Sequence, residues 1–209
     1  MKLTKTEKKK IEEAVVAAEK RTSGEFVTVI ARNSDSYFTF PIMWAALVCL
    51  VLPVVFMFVL WLFQIHLVEI KMILEIQLFT FIVLYLVFQI PSVKMSLVPR
   101  YLKKNRARQL AREQFFLRGV GSTKDHSGVL FFVSLAEHCV EIIADKGIND
   151  KVDKDAWQQI VDEFIGNVRG GQMCLGFTTA VEKCADLMAK HYPYQPGDTN
   201  ELGNSLVEL

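Results

Sequence analysis

The sequence predicts an α/β fold, a three-layer α/β sandwich, with a two-helix transmembrane hairpin inserted after its first strand. Three observations predict it. Residues 41–90 are nearly all apolar, while both flanks have ordinary globular composition. The segment before them holds one helix and one strand, too little to bury a core or to satisfy a strand's edges. The segment after them reads as two strands and several helices with apolar faces, which supply the missing partners. The expected boundaries are 1–40 for the first part of the domain, 41–63 and 72–90 for the spans, and 91–209 for the remainder.

Residues 5–21 form the first helix, because Ile11, Ala14, Val15 and Ala18 recur at helical spacing among charges. Thr22-Ser23-Gly24 stops it, with Gly24 expected as a left-handed cap. Glu25 to Ala31 (EFVTVIA) is short and rich in β-branched residues, which predicts a strand.

From Pro41 to Phe63 no charged residue occurs in 23 positions, and about 20 helical residues cross a bilayer core. Trp44 and Trp61 lie near its two ends, where amphipathic rings favour the interface. Pro41 suits a first turn, and Pro53 predicts a kink whose freed carbonyl a neighbour must satisfy. Met72 to Ile90 is the second span, interrupted by Glu75, Gln77 and Gln89. Glu75 lies four residues from Lys71, a spacing that pairs the two near the interface rather than marking a site inside the span. The short connection Gln64 to Lys71 makes the spans antiparallel neighbours.

Basic residues cluster on both flanks, Arg21 and Arg32 before the first span and six between Lys94 and Arg108 after the second. The loop between the spans has Lys71 alone. This asymmetry places both termini in the cytoplasm, with the hairpin in a bacterial inner membrane. The start fails as a signal peptide, since Glu12, Glu13 and Glu19 follow the early lysines and the first apolar run begins near residue 40.

Val98-Pro99 breaks the chain, and residues 100–118 then form a long basic helix with Leu102, Leu110, Phe115 and Leu117 as its apolar members. Arg100, Lys103, Lys104, Arg106 and Arg108 are its candidate contacts to anionic headgroups, and a solvated face is the compatible alternative. Gly128 to Leu135 (GVLFFVSL) reads as a central strand covered on both faces. A turn at 136–138 and a return strand, Cys139 to Ala144, make an antiparallel hairpin. Asp153 is expected to cap a helix through Trp157, Ile160, Val161 and Phe164. Gly170-Gly171 separates it from a last helix, Cys174 to His191, and the tail from Tyr192 is expected to wrap the surface.

Several chemistries are excluded or disfavoured. With 24 basic and 23 acidic residues, no global field argues for nucleic acid. Cys49, Cys139, Cys174 and Cys184 lack the paired spacing of zinc or redox motifs and read as buried thiols in a reducing compartment. No P-loop, dinucleotide fingerprint, H-E-x-x-H or G-x-S-x-G is present. Asp125-His126-Ser127, with His138 or His191, therefore reads as a loop before a strand. The acidic cluster Asp145, Asp150, Asp153 and Asp155 follows a strand, where α/β folds often place sites. Calcium or magnesium is the cofactor it could take, with Asp145 and Asp150 as first ligands. DKGINDKVDKD lacks the ligand spacing of a calcium loop and carries three lysines, so helix capping is the favoured account.

Four segments in order, Thr22-Ser23-Gly24-Glu25, GVLFFVSL, VEIIADKGI at 140–148 and Asn200-Glu201-Leu202, resemble the TPM domain family. They look most like its bacterial branch of membrane proteins with a hairpin inside the domain. Gly203 stands where relatives commonly carry Pro, and Cys184 at a usually small position. The resemblance implies a compact α/β sandwich. It further implies roles in the assembly and repair of membrane complexes or in receptor modulation, and a weak acid-phosphatase activity with bound calcium in some members. The cytoplasmic placement separates this chain from the lumenal and periplasmic members. The expected function is an integral membrane protein whose domain is an interaction or accessory module for membrane-protein partners. The alternative is a weak metal-assisted phosphatase at Asp145.

Overall fold

A computed structural model describes residues 3–64, 69–195 and 200–209. In chain order its elements begin α1 (Lys5–Glu19), β1 (Phe26–Ala31), α2 (Thr39–Leu62), α3 (Ile70–Phe88), α4 (Pro91–Leu97) and α5 (Arg100–Leu117). They continue with β2 (Val129–Ser134), β3 (Cys139–Ala144), α6 (Lys146–Asn149), α7 (Lys154–Arg169), α8 (Met173–Ala189) and β4 (Val207–Glu208). The chain divides into two compact units, one of Met1–Ser34 with Lys104–Leu209 and one of Asp35–Lys103.

The first unit is built on a four-stranded sheet in the order β3-β2-β1-β4. β1 runs parallel to β2 with Phe26 opposite Val129, and β2 pairs antiparallel with β3 with Val129 opposite Ala144. Every residue of β1 and β2 is buried, because side chains alternate between two covered faces. Phe26, Ile30, Val129, Phe131 and Val133 point into a core shared with Ile11 and Val15 of α1, Ile160 and Phe164 of α7, and Phe177 and Val181 of α8. Val27, Val29, Leu130 and Phe132 point the other way, onto Ala107, Ala111 and Phe115 of α5. Three layers follow, as the sequence predicts. Phe131, Phe164 and Phe177 meet edge to face at 5.0–5.5 Å between centroids and hold the larger core.

α1 starts in a capping box: the Thr4 hydroxyl accepts from the Glu7 N–H at 3.3 Å, and the Glu7 carboxylate accepts from the Thr4 N–H at 2.8 Å. Gly24 does not cap its end in the left-handed region, where Gly119 and Gly171 are the positive-φ glycines. Lys20 is the C-cap, and Gly24 is small for another reason. A Cβ there would lie 1.9 Å from Met188 Cε and 3.1 Å from the Ser127 carbonyl oxygen. The tail also differs from expectation. Val207 and Glu208 add β4 in parallel beside Val29 and Ile30, and the Arg32 N–H donates to the Leu209 carbonyl at 3.0 Å. Residues 196–199 of that tail lie outside the described residues.

In the second unit, α2 and α3 are 24 and 19 residues long and apolar enough to cross a membrane. Within α3 no residue is buried, and in α2 only Pro41, Ala45 and Cys49 are. Pro53 has no N–H, so the Cys49 carbonyl one turn earlier loses its helical donor. The Gln77 side-chain amide of α3 donates to that carbonyl at 3.1 Å, which closes the gap and ties the two helices. Lys71 and Glu75 pair at 3.8 Å on the exposed surface. Pro91 opens the additional short helix α4, whose Lys94 donates to the Ser36 carbonyl at 3.0 Å. The middle of the connection between α2 and α3, residues 65–68, lies outside the described residues.

Candidate functional site

The four sequence motifs converge at the amino-terminal ends of β1 and β2. The Glu25 N–H donates to the Ser127 carbonyl at 3.3 Å, and the Val129 N–H donates to the Glu25 carbonyl at 2.8 Å, which starts the parallel ladder. The Ser127 hydroxyl donates to the Ser23 carbonyl at 3.2 Å, and the Thr22 hydroxyl donates to the Tyr192 carbonyl at 2.6 Å. Glu25 itself is buried. Its carboxylate accepts from the backbone N–H groups of Glu201 at 3.0 Å and Leu202 at 3.3 Å. The Glu201 carboxylate in turn accepts from the Lys124 N–H at 3.2 Å. The segments Thr22-Ser23-Gly24-Glu25 and Asn200-Glu201-Leu202 are thus two halves of one clasp, which holds the tail against the sheet.

Beside the clasp lies a cavity of about 190 Å³ lined by Val16, Glu19, Thr22, Glu25, Asn200 and Asn204, among others. Burial pushes the Glu19 carboxyl up to about 7, and the negative charge of Glu25 pushes it the same way. Hydrogen bonds from the Asn204 amide and the Phe26 N–H oppose that rise without cancelling it. Two carboxylates that share a partly closed cavity can hold one proton near neutral pH. That proton is the most chemically distinctive property of the region, and the sequence analysis missed it. Glu19 read there as one charge on a helix that disqualified a signal peptide.

Asp145 sits at the other side of the same strand ends. Its Oδ1 accepts from the Lys146 N–H at 2.7 Å as the cap of α6, and its Oδ2 lies 3.0 Å from His126 Nδ1. Gly147 follows because a Cβ there would lie 2.6 Å from the His126 carbonyl and 2.7 Å from the Tyr192 hydroxyl. Asp150 is exposed at the carboxyl end of α6, Asp153 occupies the N-cap position of α7 without a side-chain cap bond, and Asp155 lies in its first turn. Calcium takes six to eight oxygen ligands. Among the described residues no three His, Cys, Asp or Glu converge as a metal-holding group, and both Asp145 oxygens already have partners. His126 turns to Asp145 while the Ser127 hydroxyl turns to Ser23, so the Asp125-His126-Ser127 run does not form a relay.

At Cys139, Cys174 and Cys184 burial favours the thiol form. Burial pushes Cys184 up to about 12 and Cys139 up to about 11, the latter helped by the charge of Glu141, and it raises Cys174 as well. Cys49 and Cys184 are buried, whereas Cys139 and Cys174 are half-buried rather than fully enclosed as expected.

The basic helix α5 divides its charges. Arg108 is spent on Glu141 of β3 at 2.7 Å, and Arg106 donates to Gln109 at 3.3 Å. Lys103 is half-buried, while Arg100 and Lys104 are exposed. Its inner face is Ala107, Ala111, Gln114 and Phe115, and Leu117, one of its apolar members, stands 78% exposed. At the opposite, carboxyl ends of β1 and β2, buried Glu137 accepts from the Ser34 N–H at 2.8 Å and from the Ser134 hydroxyl. That turn carboxylate too was invisible in the sequence, where it read as part of a tight turn.

The family model of the TPM domain matches residues 92–187. Among solved structures, the NMR structure of the BA42 protein from the psychrophilic bacterium Bizionia argentinensis is similar, with a TM-score of 0.62 and 20% sequence identity. The likeness covers 100% of this chain and 97% of that one, and it speaks to the fold. No curated protein matches the chain.

Proposed function

We propose that this chain, which carries a TPM domain, is a membrane-anchored accessory module that works by binding other membrane proteins. One observation carries the reading: the apolar side chains of α2 and α3 are exposed along both helices, and only lipid or another protein makes that surface stable. In this reading both helices span a bacterial inner membrane. The flanking basic residues keep both termini in the cytoplasm, so α1 and β1 fold with the segments after the hairpin. Arg100, Lys103, Lys104 and Arg106 lie near anionic headgroups, and Arg108 serves the fold through Glu141.

The clasp of Glu25 on the tail is structural support for such a module, because it fixes the tail, and with it a surface, against the sheet. The test is crosslinking in cells followed by mass spectrometry of the proteins that co-purify from alkali-washed membranes. Reproducible envelope-protein partners are expected. Release of the chain by alkaline wash, or recovery without partners, would overturn the reading. The phosphatase alternative makes an opposite demand. Hydrolysis of p-nitrophenyl phosphate that Asp145→Asn abolishes would replace the accessory role with a catalytic one.

A further inference from the structure

We propose that the carboxyl end of α5 is a second membrane contact, in which Phe116 and Leu117 insert among the headgroups of the bilayer and Arg112 and Arg118 meet anionic lipid. The proposal rests on the anchored reading above and adds to it a docking surface on the folded domain.

Phe116 and Leu117 are 77% and 78% exposed, the highest exposures of any large apolar side chain among the described residues of the domain. They are adjacent, and they end the helix whose other face is fixed on the sheet by Ala107, Ala111 and Phe115. Phe116 follows Phe115 in an edge-to-face contact at 5.8 Å, so its ring is braced from behind and presented outward. Arg112 precedes Phe116 by one turn, and it makes no ion pair among the described residues. Arg118 uses its Nε on Gln114 at 3.4 Å and leaves the rest of its guanidinium outside. Residues 100–118 hold seven basic side chains and one acidic, Glu113, which is hydrogen-bonded to Gln109. Single exposed apolar residues are ordinary on protein surfaces. Two adjacent ones set between arginines form the combination that interfacial segments use, apolar insertion with charge attraction.

Gln109, exposed midway along α5, and half-buried Asn105 have no affinity for lipid tails, so the contact is local to the helix end. The chain itself supplies proximity. Only residues 89–99 separate the end of α3 from the start of α5, which holds the domain at high effective concentration near the bilayer.

The test uses the full chain in nanodiscs with Cys139→Ser and Cys174→Ser, and Leu117→Cys labelled with bimane. Quenching by brominated lipid is read against the same label at Val55→Cys in α2. Quenching at both positions is expected in discs containing phosphatidylglycerol. Each of Arg112→Glu and Arg118→Glu should reduce the docked population about fivefold or more. Quenching at 55 with none at 117 overturns the docking and leaves the anchoring intact. An absence at both overturns the anchoring itself. Crosslinks from 117 to a protein, without quenching, reassign the surface to a protein partner and overturn the lipid contact.

Discussion

In the sheet domain Leu130 and Phe132 of β2 are completely buried, whereas in the hairpin Leu78 and Phe79 of α3 stand 62% and 70% exposed. The residue types are the same. In water, burying one such side chain stabilises by roughly 1.5–3 kcal/mol, and leaving it outside forfeits that. The sheet domain gains this through two cores on opposite faces of one sheet, while the hairpin gains almost none of it internally. The comparison teaches that two units in one chain can treat the same residue types in opposite ways: one excludes water by packing, and the other needs an apolar partner outside itself.

The sharpest way to break that contrast is to remove one large side chain from each unit. Phe177→Ala deletes a fully buried ring that touches both Phe131 and Phe164. It should cost about 3–5 kcal/mol in denaturant unfolding followed by Trp157 fluorescence. Leu50→Ala in α2, at a side chain 68% exposed, should change hairpin unfolding by no more than about 0.5 kcal/mol. A comparable loss at Leu50 would mean the hairpin is a protein core in disguise.

Glycine substitutions sharpen the same point within the domain. A Cβ on Gly128 would lie 2.1 Å from the Val120 carbonyl oxygen, a backbone atom that cannot swing aside. Gly128→Ala should cost about 2–3 kcal/mol in the same unfolding assay. Gly203→Ala, with nothing within 4 Å of its Cβ, should leave the midpoint unchanged.

Beside the clasp between sheet and tail, Glu19 adds a pH dependence to the sheet domain. Glu19 titrates near 7 in the fold and at an ordinary 4.5 when exposed. Between those values the folded state binds more protons than the unfolded one, so its stability is greatest below about 4.5 and falls as pH rises through 7. Solvent screening of this partly exposed group limits the loss to about 1 kcal/mol. Glu19→Gln should flatten the midpoint between pH 5 and pH 8 in a thermal melt, and a retained slope would assign it to another group.

How much of this was legible varied with the range of the interaction. Periodicity gave the layers, since Phe26 and Ile30 against Val27 and Val29 is a local pattern with a long-range meaning. Lys71 and Glu75 were readable because one helical turn sets their distance. The Glu19–Glu25 cavity was not, because its lining joins Val16, Glu19 and Glu25 to Tyr194, Asn200 and Asn204, which no local rule brings together. β4 was missed because a two-residue strand carries no period, and its partner β1 lies nearly the whole chain away. Gly24 was read as a cap because a glycine after a helix usually is one; the crowding by Met188 and Ser127 appears only once the layers are stacked. Asp145 and Asp150 share a sequence window, and the short helix between them puts one at its start and the other at its end.

The smallest expected effect is the most specific to the hairpin. If Gln77 matters because Pro53 strips the Cys49 carbonyl of its helical donor, then Gln77→Leu should lower the resistance of the α2–α3 pair to SDS unfolding by about 0.6 kcal/mol. The cause can be separated from mere packing by a double-mutant cycle. Pro53→Ala restores a backbone N–H to the Cys49 carbonyl, so Gln77→Leu in that background should cost nothing further. Equal losses in both backgrounds would mean that the amide stabilises the pair by contact alone, and that lipid rather than any polar clamp holds the two helices together.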